Sequence, residues 1–300
     1  MNYVEVKSRK DNFGDDLNVW LWPQIFNKEM PNANDIFFLG IGTILAGGSK
    51  ELQKMDGYKK VVFGSGVRPS ESYKIYKPDA LTDIVFLRGP LSSQFLNNQY
   101  DYITDAAYAI RQLPDFEKIK NTEKKYDVSL MPYFLSTDYF NWEKICEELG
   151  FHYISPLSEK GVDFTLSEIA ASKYLISEAM HGAIAADILR VPWHRFVLTT
   201  PHTEGAMVSE FKWADWLQSV QLNNLEVSFI PFYMKSRVHL WVKALTGNIV
   251  STEFLYKPFV KKKIIETLSQ VKNYHLSKDN VITKVDDMIL SKINQVMENY

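Results

Sequence analysis

The sequence has little of what marks a secreted, membrane-spanning or nucleic-acid-binding protein. Its 300 residues include one cysteine, Cys146, which cannot form an internal disulfide, so we expect a reducing compartment. The chain has no run of about 18 apolar residues that could span a membrane, and its first residues lack the apolar segment of a signal peptide. The net charge of −2 excludes binding to nucleic acid through an overall basic field. These features predict a cytoplasmic protein that binds no nucleic acid.

The common glycine-rich phosphate-binding motifs are also missing. The segment 40–45 breaks the spacing of G-x-G-x-x-G, and no Gly-Lys-Ser/Thr triplet occurs in the chain. No spacing of acidic, histidine and cysteine residues indicates a metal site. What remains is a composition typical of folded proteins, with 46% hydrophobic and 23% charged residues, and a length that favours two domains.

Short apolar runs alternate with helix-like stretches along most of the chain. Segments 36–39, 61–63 and 84–87 are rich in β-branched or aromatic residues and end at turns that contain glycine. Such runs are typical of strands buried on both faces of a parallel sheet, and their alternation with helices predicts an α/β fold. Further strands are predicted at 127–131, 151–155, 173–176 and within 191–198, and helices at 49–55, 90–97, 141–149, 164–171 and 180–189.

The rhythm pauses once, in a mixed-charge stretch at 111–126 that is typical of a surface linker. We therefore predict two Rossmann-like, doubly wound domains, residues 1–118 and 119–300. From about residue 232 the second domain is expected to continue as a helical tail. Its predicted helices are 232–245, 261–271 and 285–297.

Ligands of open α/β sheets bind outside the carboxyl ends of the strands, so the residues that follow each strand are the candidates. The segment 12–18 precedes an apolar helix and contains Asp15, Asp16 and Asn18. It is either a turn with an aspartate N-cap or a place where these side chains hydrogen-bond a sugar or orient a catalytic group.

Two glycine-containing segments and one arginine also follow predicted strands. Gly42 and Thr43, and likewise Ser65 and Gly66, form either tight turns or loops whose amide groups bind an anion. Arg88 follows the third strand beside a helix start. There it can form a surface salt bridge or present a bidentate fork to a carboxylate or phosphate.

The segment 177–184 is the strongest candidate for chemistry. A strand gives way there to a helix of small apolar residues, with His181 in its first turn. A helix N-terminus favours an anion, and a histidine in that position can donate a hydrogen bond or move a proton. Glu178 and Met180 flank the histidine, and Gly182 lets a substrate approach closely.

Taken together, these segments resemble the polysaccharide pyruvyl transferase family over about residues 10–216. No single segment is specific for the family, but the order and spacing of the segments together are. The matching segments are 12–18, 40–45, 64–66, 88–90, 105–107 and 177–184.

The resemblance implies a fold similar to GT-B glycosyltransferases, with the two domains facing a cleft. The implied donor is phosphoenolpyruvate, and the implied acceptor is a cell-surface glycan or its precursor, with or without a lipid link. No cofactor and no metal are implied. Arg88 aligns with a donor-binding arginine and His181 with a donor-site histidine. Asp15, Asp16 or Glu178 would act on the acceptor or orient His181.

One position departs from the family pattern. Many members carry an arginine two residues before the histidine, where this chain has Ala179. The missing charge could come from one of four other residues, among which the sequence does not choose. They are Arg68, Arg195, His202 and Lys212.

Two other functions remain open at this point. The first is a GT-B glycosyltransferase that uses a nucleotide sugar, and the second is a non-catalytic glycan-binding protein on a decayed transferase fold. A separate question concerns the lysine-rich segment 257–265. It is either a solvated helix face with a buried opposite side or a peripheral contact with the inner membrane surface.

Overall fold

The framework is a pair of parallel β-sheets. A computed structural model describes residues 1–4, 10–26, 35–69, 76–232 and 253–300. The first sheet has the strand order β1-β2-β3-β4, and the second has the order β6-β5-β7-β8-β9. The strands are β1 (Asn2–Tyr3), β2 (Ile36–Leu39), β3 (Lys59–Phe63), β4 (Thr82–Phe86), β5 (Tyr126–Met131), β6 (His152–Tyr153), β7 (Ser172–Ser177), β8 (Trp193–Val197) and β9 (Val227–Phe229).

Helices connect the strands and follow the second sheet. Three short turns add to them: 3₁₀ turns at Ala106–Gln112 and Phe134–Asp138, and a π turn at Pro201–Gly205. The described helices are α1 (Phe13–Ile25), α2 (Lys50–Gln53), α3 (Pro90–Phe95), α4 (Phe116–Lys120), α5 (Trp142–Leu149), α6 (Val162–Ala170), α7 (Met180–Ile188), α8 (Ala206–Ser219), α9 (Glu253–Leu268) and α10 (Asp279–Asn299).

The α/β class predicted from the apolar runs is confirmed, and each predicted strand overlaps an observed one. The sequence did not indicate β1, β9 or α8, because the two strands are only two and three residues long and α8 carries apolar and polar residues without a clean stripe. The predicted surface linker contains α4, whose Phe116 is buried in the core. The predicted tail helix at 232–245 lies outside the described residues apart from its first residue.

The two sheets are wound differently. In the second sheet, β6 lies on one side of β5 and β7 on the other, so the strand order reverses between β5 and β7. The described strands of the first sheet instead follow one another in sequence order. The prediction of two doubly wound domains therefore needs correction for the first sheet, because β1 occupies an edge and leaves no reversal point.

Local sequence explains several helix ends. The Asn12 side chain accepts a hydrogen bond from the Asp15 amide and caps α1, and Asn141 caps α5 in the same way through the Lys144 amide. Gly150 ends α5 with φ of 69°, the left-handed conformation that glycine adopts without strain. The helix ends are thus set by short-range hydrogen bonds that the sequence encodes.

Three polar contacts, two of them buried, join parts of the chain that are distant in sequence. The Arg88 Nε donates to Asp215 Oδ2 at 3.0 Å, and both side chains are fully buried. The hydroxyl of Tyr108 donates to Asp187 at 2.6 Å. At the end of the chain, the Tyr300 hydroxyl donates to Asp83 of the first sheet at 2.7 Å. Residues distant in sequence therefore hold the two sheets together.

Among the helices of the described residues, none combines the length and the apolar character needed to cross a bilayer.

Candidate functional site

A cavity of about 240 Å³ lies between the carboxyl ends of the two sheets. From the first sheet it is lined by the start of α1 and by residues that follow β2 and β3, and from the second by residues that follow β5, β7 and β8. The β5 and β7 ends mark the point where the strand order reverses, which is where open α/β sheets bind ligands. The lining residues are Asn12, Phe13, Gly14, Asp15, Gly42, Thr43, Arg68, Met131, Tyr133, Phe134, Pro156, Ala179, Met180, His181, Gly182, Thr203, Glu204 and Lys212.

The first turns of α1 and α7 both border this cavity. In α7 the N-cap position is Ala179, which has no side chain that can cap the helix. The amide groups of the first turn of an α-helix carry partial positive charge and lack partners within the helix. The site therefore offers backbone donors to an anion.

Two cationic side chains add positive charge to the cavity wall. Lys212 of α8 and Arg68, which follows β3, both line the cavity. Lys212 pairs with Glu204 at 2.7 Å, and each of these side chains is only 12% exposed. The other two candidates for the missing charge lie elsewhere. Arg195 pairs with Glu210, and the exposed His202 is not among the lining residues.

His181 is held between the two halves of the site. Its Nδ1 lies beside Gly14 of α1, where a Cβ atom would stand 2.1 Å from that nitrogen, so only glycine fits there. Its Nε2 is buried and has no hydrogen-bond partner in the described structure. Burial, together with the positive charges of Lys212 and Arg88, lowers the pKa of His181 to about 3. The imidazole is therefore neutral in the ligand-free protein at neutral pH.

Asp105 faces His181 from the other side. Its Oδ2 is 3.9 Å from His181 Nε2, and this oxygen too is buried and unpartnered in the described structure. Burial raises the pKa of Asp105 to about 6, against the opposing effects of Arg88 and the Ala107 amide. The sequence placed Asp105 in a matching segment but gave it no role.

The sequence predicts that Arg88 binds the donor, but in the structure Arg88 does not line the cavity. It is fully buried between Asp215, Thr43 and Gly66, with its Nη1 donating to Thr43 Oγ1 at 2.9 Å. Thr43 stands between the guanidinium group and the cavity. Arg88 therefore lies behind the wall and bonds Thr43, which lines the cavity.

Glu178 also lies behind the wall. It is 1% exposed, and its Oε1 accepts backbone hydrogen bonds from Leu198, Thr199 and Thr200 at 2.5–2.9 Å. Its Oε2 accepts from the Tyr133 amide at 3.4 Å. A carboxylate with this set of partners holds the β7–α7 turn against its neighbours, and the catalytic role expected for it needs correction.

Three other candidates serve as scaffolding. The Asn18 side chain bonds both backbone groups of Ile41, at 2.8 and 2.9 Å, and fixes the loop after β2. The hydroxyl of Ser65 donates to the carbonyl oxygens of Leu39 and Gly40. Asp16 accepts a hydrogen bond from Ser158 and is not in the cavity wall. None of the three reaches the cavity, because each is engaged in holding a turn.

Five of the remaining candidates line the cavity: Asp15, Gly42, Thr43, Met180 and Gly182. The sixth, Gly66, does not, and the Arg88 guanidinium packs against it.

Sequence reasoning missed Tyr133, Glu204 and Asp215. Tyr133 lies in the wall beside Lys212, and burial with the nearby charge of Glu204 raises its pKa. Tyr133 follows β5 and Glu204 follows β8. Asp215 lies in α8, and its partner Arg88 is far away in sequence. The signal that could have found Tyr133 is its place just after the predicted strand at 127–131.

The lysines of 257–265 lie on α9, where acidic side chains surround them. Lys261 pairs with Glu148, and Lys262 and Lys263 both pair with Glu266. In the same helix, Ile264 is fully buried. These contacts fit the solvated helix face that the sequence offered as one of its two interpretations.

The structure is that of an α/β protein with a cavity at the carboxyl ends of two parallel sheets. No family model matches the chain. Over 222 residues it is 32% identical to the succinoglycan biosynthesis protein ExoV of Rhizobium meliloti (strain 1021). The similar region covers 71% of this chain and 63% of that protein, so the chain spans less than two thirds of the relative's length.

Similarity to solved structures is low. An uncharacterized protein of Klebsiella pneumoniae subsp. pneumoniae is 14% identical, with a TM-score of 0.45, over 77% of this chain and 92% of the other. The wall teichoic acid polymerase TagF is 12% identical, with a TM-score of 0.35, over 88% of this chain and 73% of the other. The site is therefore interpreted from its own geometry.

Proposed function

We propose that this chain transfers the pyruvyl group of phosphoenolpyruvate onto two hydroxyls of a sugar in a cell-surface polysaccharide or its precursor. The product is a pyruvate ketal, and phosphate is released. The resemblance to polysaccharide pyruvyl transferases and the similarity to a protein named for succinoglycan biosynthesis support this proposal. On the same grounds we propose a GT-B-like arrangement, with residues 1–118 and 119–300 as the two domains.

The observation that carries the proposal is the match between the cavity and the donor. Phosphoenolpyruvate bears a carboxylate and a phosphate on three carbons. The cavity offers the N-terminus of α7, which has no side-chain cap, together with Arg68 and Lys212. Its volume of about 240 Å³ is below the 300–1,000 Å³ of typical pockets for drug-sized ligands. It therefore suits a small anion such as phosphoenolpyruvate better than a nucleotide sugar.

The side chains in the wall fit the steps of the reaction. The methylene carbon of the donor gains a proton, and the first sugar hydroxyl forms a bond to the adjacent carbon. The second hydroxyl then bonds to the same carbon as the C–O bond to phosphate breaks. The two hydroxyls release two protons. One makes up for the proton taken up by the methylene carbon, and the other leaves with phosphate or solvent. In this proposal His181 moves the protons and Lys212 stabilises the departing phosphate, since both line the cavity.

Charge on the donor makes His181 competent for this role. Burial and the charges of Lys212 and Arg88 lower its pKa. The negative charge of a bound donor offsets these positive charges and raises the pKa of His181 toward the working range. Asp15 is the acidic side chain of the wall on the α1 side, from which an acceptor hydroxyl can be oriented.

The test combines donor binding with transfer. The protein is incubated with phosphoenolpyruvate and a panel of glycan precursors, phosphate release is followed, and the glycans are examined by mass spectrometry for added pyruvate. We expect phosphate release that depends on an acceptor and a pyruvylated product. Thermal stabilisation by nucleotide sugars but not by phosphoenolpyruvate would favour the glycosyltransferase instead. Glycan binding without any transfer would favour the non-catalytic alternative.

A peripheral contact of α9 with an anionic membrane, where a lipid-linked acceptor would be found, remains a separate proposal. Vesicle co-sedimentation tests it: binding to anionic vesicles should fall with salt and with Lys261→Gln, Lys262→Gln and Lys263→Gln together. The pairing of these lysines with glutamates predicts a weak effect. Equal binding to neutral vesicles, or none to either, would remove the proposal.

A further inference from the structure

Two buried polar atoms face each other behind the cavity and lack partners in the described structure. They are Oδ2 of Asp105 and Nε2 of His181, 3.9 Å apart. Native proteins leave few buried polar atoms unpaired, because each costs about 1–3 kcal/mol. A facing pair of such atoms, one an acceptor and the other a ring nitrogen, therefore calls for a functional explanation.

We propose that Asp105 is the positioning residue of His181. In the ligand-bound site its Oδ2 accepts the Nε2–H of the imidazole. That hydrogen bond fixes the tautomer and leaves Nδ1, which lies beside Gly14 in the cavity wall, as the nitrogen that exchanges protons with the ligands. The choice of Nδ1 as the reacting nitrogen rests on the proposed function, whereas the pairing of Nε2 with Asp105 does not.

Asp105 is built to stay in place. It is the N-cap of the 3₁₀ turn at Ala106–Gln112, where its Oδ1 accepts the Ala107 amide at 3.0 Å. Its carboxylate is fully buried. One oxygen thus anchors the side chain to the backbone, and the other remains directed at the imidazole. A carboxylate that only capped the turn would not need its second oxygen at this position.

The gap between the two atoms has a direct interpretation. A separation of 3.9 Å is too long for a hydrogen bond, whose usual range for nitrogen and oxygen is about 2.7–3.2 Å. Catalytic hydrogen bonds are often long in ligand-free enzymes and tighten when substrate binds. In the proposal, the imidazole moves toward Asp105 until the two atoms lie within this range.

The charges around the pair favour the same assignment. The cations that act on both groups are Arg88 and Lys212, and Asp215 also acts on Asp105. Burial, reinforced by these cations, lowers the pKa of His181 to about 3 and keeps the imidazole neutral, while Asp105 is mostly ionised above its pKa of about 6. An ionised carboxylate can only accept, so the neutral imidazole carries its proton on Nε2.

Nitrogen-15 NMR of histidine-labelled protein tests the pairing without any substrate. The His181 signals are assigned by their loss in His181→Gln. We expect the Nε2–H tautomer in the wild type at pH 7.5, and a mixed population or the Nδ1–H tautomer in Asp105→Asn. An Nδ1–H tautomer in the wild type would overturn the proposal, as would an unchanged tautomer in Asp105→Asn. Failure of the transfer assay would leave this measurement unaffected.

Steady-state kinetics with phosphoenolpyruvate then separate positioning from a merely structural role. Asp105→Asn should lower kcat at least about 10-fold while leaving the KM for phosphoenolpyruvate within about two-fold. His152→Ala, which removes a histidine that bonds Glu168 outside the cavity, is the matched control and should leave both constants unchanged. A kcat of Asp105→Asn equal to that of the wild type would contradict the proposal.

Discussion

Glu178 and Asp105 are both fully buried carboxylates near the first turn of α7, yet they have opposite surroundings. Glu178 accepts four backbone amides, from Tyr133 and from residues 198–200. Asp105 accepts one backbone amide and leaves its second oxygen unpaired among the described residues, facing His181. Burial raises the pKa of each carboxyl group, and this rise is opposed by four backbone amides at Glu178 but by one at Asp105.

The difference separates scaffolding from chemistry. A buried group whose partners are complete stabilises the fold, and its replacement is felt in stability. A buried group with a partner missing costs stability, and its retention indicates a role that a ligand or a neighbour completes. The same contrast holds for the fully bonded Asp215 and the partly bonded His181.

Asp215→Ala should have the largest effect on stability. Asp215 accepts from Arg88 Nε and from the amide and hydroxyl of Ser92, so its loss leaves the Arg88 charge buried and unpaired. We expect the free energy of unfolding to fall by about 3–5 kcal/mol, measured by urea denaturation. The control is Lys262→Ala, whose exposed pair with Glu266 is expected to contribute less than about 1 kcal/mol. Similar losses in the two variants would show that the buried pair is not a stabilising link.

His181→Ala should affect activity instead. Turnover with saturating phosphoenolpyruvate should fall at least about 100-fold, the scale of losing one strong transition-state contact. The thermal midpoint should change little, because the imidazole has an unpaired nitrogen and packs in a cavity wall. His152→Ala provides the comparison. Near-normal turnover in His181→Ala would remove the histidine from the proposed chemistry.

Glu178→Gln should destabilise the protein. Glutamine keeps one acceptor oxygen for the amides of 198–200, but its NH₂ group then faces the Tyr133 amide, which is also a donor. We expect a loss of about 1–3 kcal/mol in the free energy of unfolding. A stability equal to that of the wild type would mean that the backbone amides do not need this carboxylate.

Asp105→Asn, which like Glu178→Gln replaces a carboxylate with an amide, should stabilise the protein instead of destabilising it. Because the pKa of Asp105 is about 6 in the folded protein against a model value of 3.8, the folded state binds more protons between these values. Its contribution to stability therefore falls as pH rises from about 4 to 6. The variant escapes this loss, so its thermal midpoint should exceed that of the wild type at pH 7.5 and approach it below about pH 4.5. A lower midpoint at pH 7.5 would contradict the account.

Much of the framework could be predicted from the sequence, because buried parallel strands leave continuous apolar runs such as Ile36–Leu39. The edge strand β1 has no such run, so the sequence did not predict this strand. The order β1-β2-β3-β4 of the first sheet could therefore not be predicted either. For the site, the sequence located His181 after a strand end. It could not show that Arg88 and Glu178 lie outside the cavity wall, since their partners Asp215 and Thr199 are distant in the chain. Long-range pairing decides such cases, and local pattern does not record it.

The central claim is that the cavity binds phosphoenolpyruvate, and calorimetric titration of the protein with this compound tests it most directly. The account predicts saturable binding with one site per chain. Lys212→Met should weaken it at least about 10-fold, since a charge-assisted contact is lost and Glu204 is left in the wall. Lys262→Met, which removes an exposed lysine outside the cavity, should bind as the wild type does. No binding by the wild type, or equal binding by Lys212→Met, would contradict the account.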